Sequence, residues 1–237
     1  MLKNYIIGLD IGGSNVRGIL WDERKIIRSY KIDTPKSKRE FQNKISALAA
    51  SLAFRKKILG LGVSVAGVVS GTRIVKSPNI KYLDNFEFKS LGFGKIKVDN
   101  DARCFLRGEL TWKSDFQVRK NVLGIAIGTG IGRAYAENGS VKKIKKLEYP
   151  ELWERKFQKI RDKRDYEKLV KFLGEKLNII IKKYRPSEGL IGGGVLGRKI
   201  FFESLKKELQ SKNVGCKIIR SKVGEYAGAI GAVKLFK

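Results

Sequence analysis

The sequence predicts an α/β protein built from two related halves. A glycine-tipped hairpin motif occurs twice, and strand-like and helix-like hydrophobic periods alternate around each copy. Ile7–Trp21 reads IGLDIGGSNVRGILW, and Leu123–Glu137 reads LGIAIGTGIGRAYAE. Gly8 aligns with Gly124, Ile11 with Ile127, Gly12 with Gly128 and Arg17 with Arg133, at one offset close to half of the 237 residues. Each copy is an apolar strand, a glycine-rich tip and a second strand. Glycine permits positive φ and lets backbone N–H groups approach a ligand. Two such tips suit a polyanion held by related halves, most simply a nucleoside triphosphate. The first copy has Asp10 where the second has Ala126, so one half carries a carboxylate suited to a metal.

The elements follow in order. Tyr5–Asp10, Val16–Trp21 and Ile26–Lys31 read as an antiparallel meander, with a polar turn at Asp22–Lys25. Arg39–Lys57 is a helix, with Phe41, Ile45, Leu48 and Leu52 at helical spacing. Leu59–Val65 is a buried strand, and Pro78 breaks the segment after it. Lys95–Val98 is a short strand leading into Asp99-Asn100-Asp101, where Asn100 or Asp101 is suited to cap a helix reaching Trp112. Ser114–Lys120 reads as the crossing between halves. Val122–Ile127 and Arg133–Glu137 make the second hairpin, with a turn signal at Asn138-Gly139. Pro150–Arg164 and Tyr166–Tyr184 are amphipathic helices. Gly189–Ile191 is a strand running into Gly192-Gly193-Gly194. A helix at Lys199–Leu209 and a strand at Lys217–Ile219 follow. Glu225–Phe236 is a small-residue helix in which Ala227, Gly228 and Gly231 allow close packing. Residues 1–114 are expected to form the N-terminal half, joined by the C-terminal helix 225–237, and 115–224 the C-terminal half.

Composition narrows the chemistry. Hydrophobic residues make up 42%, enough for a packed core, and no apolar run has membrane-spanning length. No membrane partner is expected. The N-terminus enters a charged strand almost at once, unlike a signal peptide. Cys104 and Cys216 form neither a disulfide framework nor a metal spacing, which fits a reducing cytoplasm. The net charge is +28. Such a surface attracts anionic metabolites and nucleic acid without sequence preference. The lysines are spread along the chain, as on an ordinary solvated surface. Histidine is absent, so proton transfer at neutral pH falls to a carboxylate, a perturbed Lys, Cys or Tyr, or water.

Three places carry chemistry. Asp10 ends an apolar strand beside Gly12-Gly13-Ser14, where a carboxylate suits Mg²⁺ next to phosphate oxygens. Asp99-Asn100-Asp101 joins a strand end to a helix start, where α/β sheets place reactive groups. One carboxylate there, freed from capping, is placed to take a proton from an attacking hydroxyl. Gly192-Gly193-Gly194 lets backbone pack against a flat ligand or phosphate. Glu109 reads as surface, and both cysteines as small buried apolar residues.

Together these segments resemble the ROK family (repressor, open reading frame, kinase) of sugar kinases. GLDIGGSNVRGIL at Gly8–Leu20 is similar to its first phosphate motif, and GLGVSVAGVVSGTRIVKSPNI at Gly60–Ile80 to its substrate-side strand, glycine turn and Pro-Asn step. VDNDARCFLRGE at Val98–Glu109 resembles the catalytic helix start, and GIAIGTGIG at Gly124–Gly132 the second phosphate motif. GLIGGGVLG at Gly189–Gly197 resembles the adenosine motif, and GEYAGAIGAVKLF at Gly224–Phe236 the closing helix. The resemblance implies an actin-like, ribonuclease-H-like ATPase fold of two lobes with a cleft between them. It implies transfer of the γ-phosphoryl of ATP to a hydroxyl of a hexose or related sugar, with Mg²⁺. By position Asp101 would be the general base. Asn79, Asn100 and Gly67 would contact the sugar, and Asp10 would sit by the metal. Gly12, Gly13 and Ser14, with Gly128, Thr129 and Gly130, would hold phosphates. Gly193 and Gly194 would approach the adenosine. A homodimer is a further candidate assembly.

The chain departs from the family at one place. Sugar kinases of the family usually carry a Glu and a His after the second phosphate hairpin, then a cysteine-rich zinc motif. Here Gly139–Trp153 reads GSVKKIKKLEYPELW, with no His and no Cys. No zinc is expected, and Glu148 or Glu151 is left to replace a sugar contact. Arg103 and Phe105 stand where the family often has smaller residues, so they narrow the pocket or simply pack. The competing expectation is a non-catalytic, ROK-like nucleotide- or sugar-binding protein with a degenerate sugar site.

Overall fold

The structure is a computed structural model, and it describes residues 4–112, 121–197 and 199–236. The chain divides into two compact units, Met1–Trp112 with Tyr226–Lys237, and Lys113–Glu225. The expected crossing at Ser114–Lys120 lies outside the described residues.

The first unit opens with β1 (Tyr5–Ile11), β2 (Asn15–Trp21) and β3 (Ile26–Asp33), an antiparallel meander. Helix α1 (Lys38–Ala53) follows, capped by the Ser37 hydroxyl, which accepts the Glu40 N–H at 3.2 Å. The chain re-enters the sheet as β4 (Ile58–Val65), makes the small hairpin β5 (Val68–Ser70) and β6 (Arg73–Lys76), and returns as β7 (Ile96–Asn100). The five-stranded order is β3-β2-β1-β4-β7, with β1, β4 and β7 parallel. Helix α2 (Asp101–Trp112) starts where β7 stops. Its core gathers β1, β2, β4 and α1 with Phe41, Phe86 and Phe88, whose rings meet edge-on at centroid distances of 5.2–6.4 Å.

The second unit repeats the plan. Strands β8 (Val122–Ile127), β9 (Ile131–Glu137) and β10 (Ser140–Lys142) form its meander. Helices α3 (Lys145–Glu148), α4 (Glu154–Asp162) and α5 (Tyr166–Tyr184) lead to β11 (Glu188–Gly192), then α6 (Lys199–Ser211) and β12 (Lys217–Arg220). The order β10-β9-β8-β11-β12 matches the first sheet strand for strand, again with its last three strands parallel. Leu123, Ile125 and Ile127 of β8 pack with Phe157, Leu173, Leu177 and Leu205 in this unit's core.

The C-terminal segment belongs to the first unit. Helix α7 (Ala227–Val233) is buried along its whole length. It crosses α2 so closely that a Cβ on Gly108 would strike the Ala227 carbonyl, and one on Gly231 the Cys104 carbonyl. Glycine is required at both crossings.

Three expectations change. The helix expected from Pro150 begins at Glu154, after a short separate helix at 145–148. Residues 149–153 lie between them, with the turn at Leu152 and Trp153. Glu109 is buried, not on the surface, because α2 has α7 on one side and the sheet on the other. Cys104 is buried as expected, whereas Cys216 is only partly covered.

Candidate active site

In the first unit the parallel strands end in a row of polar side chains. Asp10, Ser64 and Asp99 are register partners across β1, β4 and β7. The carboxyl ends of parallel strands are where open α/β sheets bind ligands. The Ser64 hydroxyl donates to Asp10 Oδ1 at 2.6 Å. Burial raises the Asp10 carboxyl, while the Ser64 hydrogen bond and the Arg17 charge work against that rise. Arg17 is the β2 residue directly opposite Asp10.

The turn from β7 into α2 sorts the three residues at 99–101 into separate roles. Asn100 is the cap: its Oδ1 accepts the N–H groups of Ala102 at 3.0 Å and Arg103 at 3.3 Å. Its Nδ2 donates to the Gly67 carbonyl at 3.0 Å. Gly67 has φ +145°, and a Cβ there would strike the Lys76 carbonyl, so the glycine is dictated by the β5–β6 hairpin. Both residues expected at the sugar thus hold each other. Asp99 is clamped from α2, by Arg103 Nε at 2.7 Å and Arg107 Nη2 at 2.7 Å. Burial works to raise its carboxyl, but the two arginines outweigh it and hold it below the usual range. Arg103 therefore turns back to Asp99 and packs. Among the described residues no arginine is seen hydrogen-bonded to Asp101. Burial and then the neighbouring Asp10 push its carboxyl up to about 6, although the Arg103 charge works to lower it.

The first glycine tip meets the Pro-Asn step. A Cβ on Gly13 would lie 3.3 Å from Asn79 Cβ. Gly13, Ser14 and Asn79 line one cavity of about 620 Å³, together with Thr34, Lys36 and Tyr82. The Gly12 N–H is engaged within the tip, donating to the Asn15 carbonyl at 3.0 Å. The backbone donors proposed for phosphate narrow to Gly13 and Ser14.

The second tip closes one residue earlier. Gly128 N–H donates to the Gly130 carbonyl at 2.9 Å. The register slips with it, so Arg133 pairs with Ile125, whereas the aligned Arg17 pairs with Asp10. The slip turns Arg133 to the core face. There its guanidinium is held by Glu151 Oε1 at 3.0 Å, Glu154 Oε1 at 2.9 Å and the Tyr149 carbonyl at 2.6 Å. Glu151, one candidate sugar contact, is further engaged by Trp153 Nε1 at 3.0 Å. Glu148 ends α3 in this same unit. Gly194 and Gly128 have open space where a Cβ would sit, as a ligand-facing backbone needs. Gly193 does not: its φ of +106° and the Ile127 backbone require glycine there.

Among the described residues no three Cys, Asp or Glu side chains gather around a common metal position. Magnesium does not require such a cage, since it commonly takes one or two carboxylates plus substrate phosphates. The hard oxygens of half-buried Asp10, beside a glycine tip, fit that demand. No described helix is long and apolar enough to cross a membrane.

Sequence reasoning missed Ser64, the Arg133–Glu154 pair and the residues of α4 facing the second tip. A lone hydroxyl inside the apolar run GLGVSV was the signal for Ser64. The repeated arginine was the signal for Arg133.

The family model of the ROK family matches residues 6–146. The chain belongs to the ROK family. An N-acetyl-D-glucosamine kinase of Histophilus somni is 34% identical over 142 residues, covering 56% of this chain and 46% of that protein. The chain thus spans about half the length of the curated relatives it matches. Among solved structures, a ROK family glucokinase from Streptomyces griseus in complex with glucose and AMPPNP superposes with TM-score 0.81 at 18% identity, covering 98% of both chains. An inorganic polyphosphate/ATP-glucomannokinase from Arthrobacter superposes with TM-score 0.82 at 22% identity, again over 98% of both. The fold is therefore the α/β, actin-like and ribonuclease-H-like ATPase fold of ROK sugar kinases.

Proposed function

We propose that this ROK protein is an ATP-dependent sugar kinase that transfers the γ-phosphoryl group to a hydroxyl of a hexose or N-acetylhexosamine. Asp101 is the general base in this reading. The observation that carries it is the contrast between neighbouring carboxyls. Asp99 is tied to two arginines, whereas Asp101 lies beside Asp10 with its carboxyl pushed up to about 6. A base poised near the working pH accepts a proton readily and is worth roughly 10²–10⁴-fold. Asp10 would hold magnesium, which would supply positive charge to offset that developing on the phosphoryl group. Gly13 and Ser14 would orient phosphate oxygens, and Asn79 in the same cavity would orient the acceptor. Thr129 and Gly130 of the second tip would hold nucleotide phosphates, and Gly194 would face the adenosine.

ADP release with Mg-ATP, measured over glucose, mannose and their N-acetylamino forms, tests the reading. One acceptor should be phosphorylated by the wild type and none by Asp101→Asn. Equal rates in the variant would remove Asp101 from the chemistry.

A second reading is a non-catalytic binder. It is favoured by the engagement of Glu151 with Arg133 and Trp153, which withdraws one acid from the shortened segment. Tight nucleotide binding with no acceptor phosphorylated would decide for it.

A further inference from the structure

One face of α4 is fitted to the second glycine tip. Glu154, Gln158 and Arg161 recur at the four- and three-residue steps that share a helix face. All three contact the backbone of residues 128–131. Glu154 Oε2 accepts the Ile131 N–H at 3.3 Å. Gln158 Nε2 donates to the Thr129 carbonyl at 3.3 Å. Arg161 Nη1 donates to the Gly128 carbonyl at 3.1 Å and also to the Thr129 carbonyl. Its Nε and Nη2 are held by Asp162 Oδ1 at 2.9 and 2.7 Å. The ring of Phe157 lies 5.6 Å from the guanidinium.

We infer that α4 is the nucleotide-positioning helix of this protein, and that Arg161 is a positioning residue that sets the second tip for phosphate. The inference rests on the kinase reading above and deepens its nucleotide side. A glycine tip is free to sample many backbone conformations, which weakens it as a preformed anion site. Fixing the carbonyls of Gly128 and Thr129 on the α4 side directs the intervening peptide N–H groups away from α4. Open space at Gly128 leaves that backbone accessible. The guanidinium is planar and rigid, so one nitrogen can bridge two successive carbonyls while the others stay on Asp162. A lysine ammonium keeps the charge but cannot hold that fork. The role is thus one of geometry, with the positive charge a secondary aid to phosphate.

Titration of a fluorescent ATP analogue with magnesium, in wild type, Arg161→Leu, Arg161→Lys and Gln158→Leu, tests this. Wild type should bind, and Arg161→Leu should weaken binding about tenfold, as loss of hydrogen bonds to a charged donor implies. KM for ATP should rise by a similar factor, with KM for the sugar changed less than twofold. Arg161→Lys should not rescue, and Gln158→Leu should weaken binding about threefold. Thermal unfolding without nucleotide should be nearly the same in all four. Absence of nucleotide binding in the wild type would overturn the kinase reading itself. Binding by wild type, with Arg161→Leu equally tight or Arg161→Lys fully restored, would overturn the positioning role alone. Should Arg161→Leu fail to fold, undiminished binding in Gln158→Leu and Arg161→Lys would overturn it equally.

Discussion

Gly228 of α7 rests directly on the carboxylate of Asp10: a Cβ added at 228 would lie 2.5 Å from Asp10 Cγ and Oδ1. Helix α7 thus forms one wall of the site proposed for the metal. It covers part of Asp10, whose carboxyl is raised by desolvation. A Gly228→Ala change would either push α7 off the sheet or displace the carboxylate. Overpacking of this kind costs typically 1–3 kcal/mol. We expect a melting temperature several degrees lower and a loss of kinase activity larger than the stability change explains. Gly224→Ala, a position with open space but φ +77°, should cost stability with activity retained. Calorimetry alongside steady-state rates separates the two.

Asp101→Asn should move stability and activity in opposite directions. The aspartate is half-buried beside a second carboxyl, so its charged form is disfavoured in the folded protein. Asparagine removes that repulsion and keeps an oxygen for the Ala102 N–H, now 2.9 Å away. Transfer should be abolished, nucleotide binding retained, and the unliganded protein stabilised at pH 8 by about 1–3 kcal/mol. Denaturant unfolding at pH 8 is the measurement, and a less stable variant would contradict the electrostatic account.

The pH dependence follows from the same pair. Asp10 and Asp101 bind protons more tightly folded than unfolded. The Asp101 contribution is fully present below the ordinary aspartate value near 4 and is lost as pH rises through about 6, and the raised Asp10 carboxyl acts in the same direction. Asp99 runs the other way, since its carboxyl is held low. Its contribution is present above the ordinary value and is lost only in stronger acid. Unliganded protein should therefore lose about 3 kcal/mol of the Asp101 contribution between pH 4 and pH 7, and Asp101→Asn should flatten that slope. The rate kcat/KM for the sugar should rise with pH over the same window, as the base loses its proton.

Much of this was legible in the sequence, and the reasons are local. The repeated IGLDIGG and LGIAIGTG segments announced two matching hairpins because strand periodicity and glycine tips are short-range signals. Asp10 stood out by contrast with Ala126. What could not be read was long-range. Small residues in α7 suggested close packing, but not that Gly228 meets Asp10 or that Gly231 meets Cys104. Glu109 read as surface because nothing in its neighbourhood of sequence showed that α7 would cover it. Which of Asn100 and Asp101 caps α2 was open until Asn100 Oδ1 was seen to accept the Ala102 and Arg103 N–H groups. The one-residue difference between the tips was hidden by a repeat that aligns without a gap.

That difference sets the last prediction. The register slip at the second tip drives Arg133 into the core, where it is 1% exposed. Glu154 is its buried partner at 2.9 Å, and burial raises the Glu154 carboxyl despite the Arg133 charge and the backbone N–H groups it accepts. Removing one member of a buried pair typically costs 3–5 kcal/mol, because the other is left charged and uncompensated. Arg133→Met should therefore be severely destabilising, whereas Arg133→Met with Glu154→Gln should recover a large part of the loss. Glu154 also holds the Ile131 N–H beside the second tip. Glutamine keeps that acceptor oxygen, so the double variant should retain nucleotide binding. A double-mutant cycle by denaturant unfolding measures the coupling, and additive losses would show that Glu151 and the Tyr149 carbonyl alone suffice for Arg133.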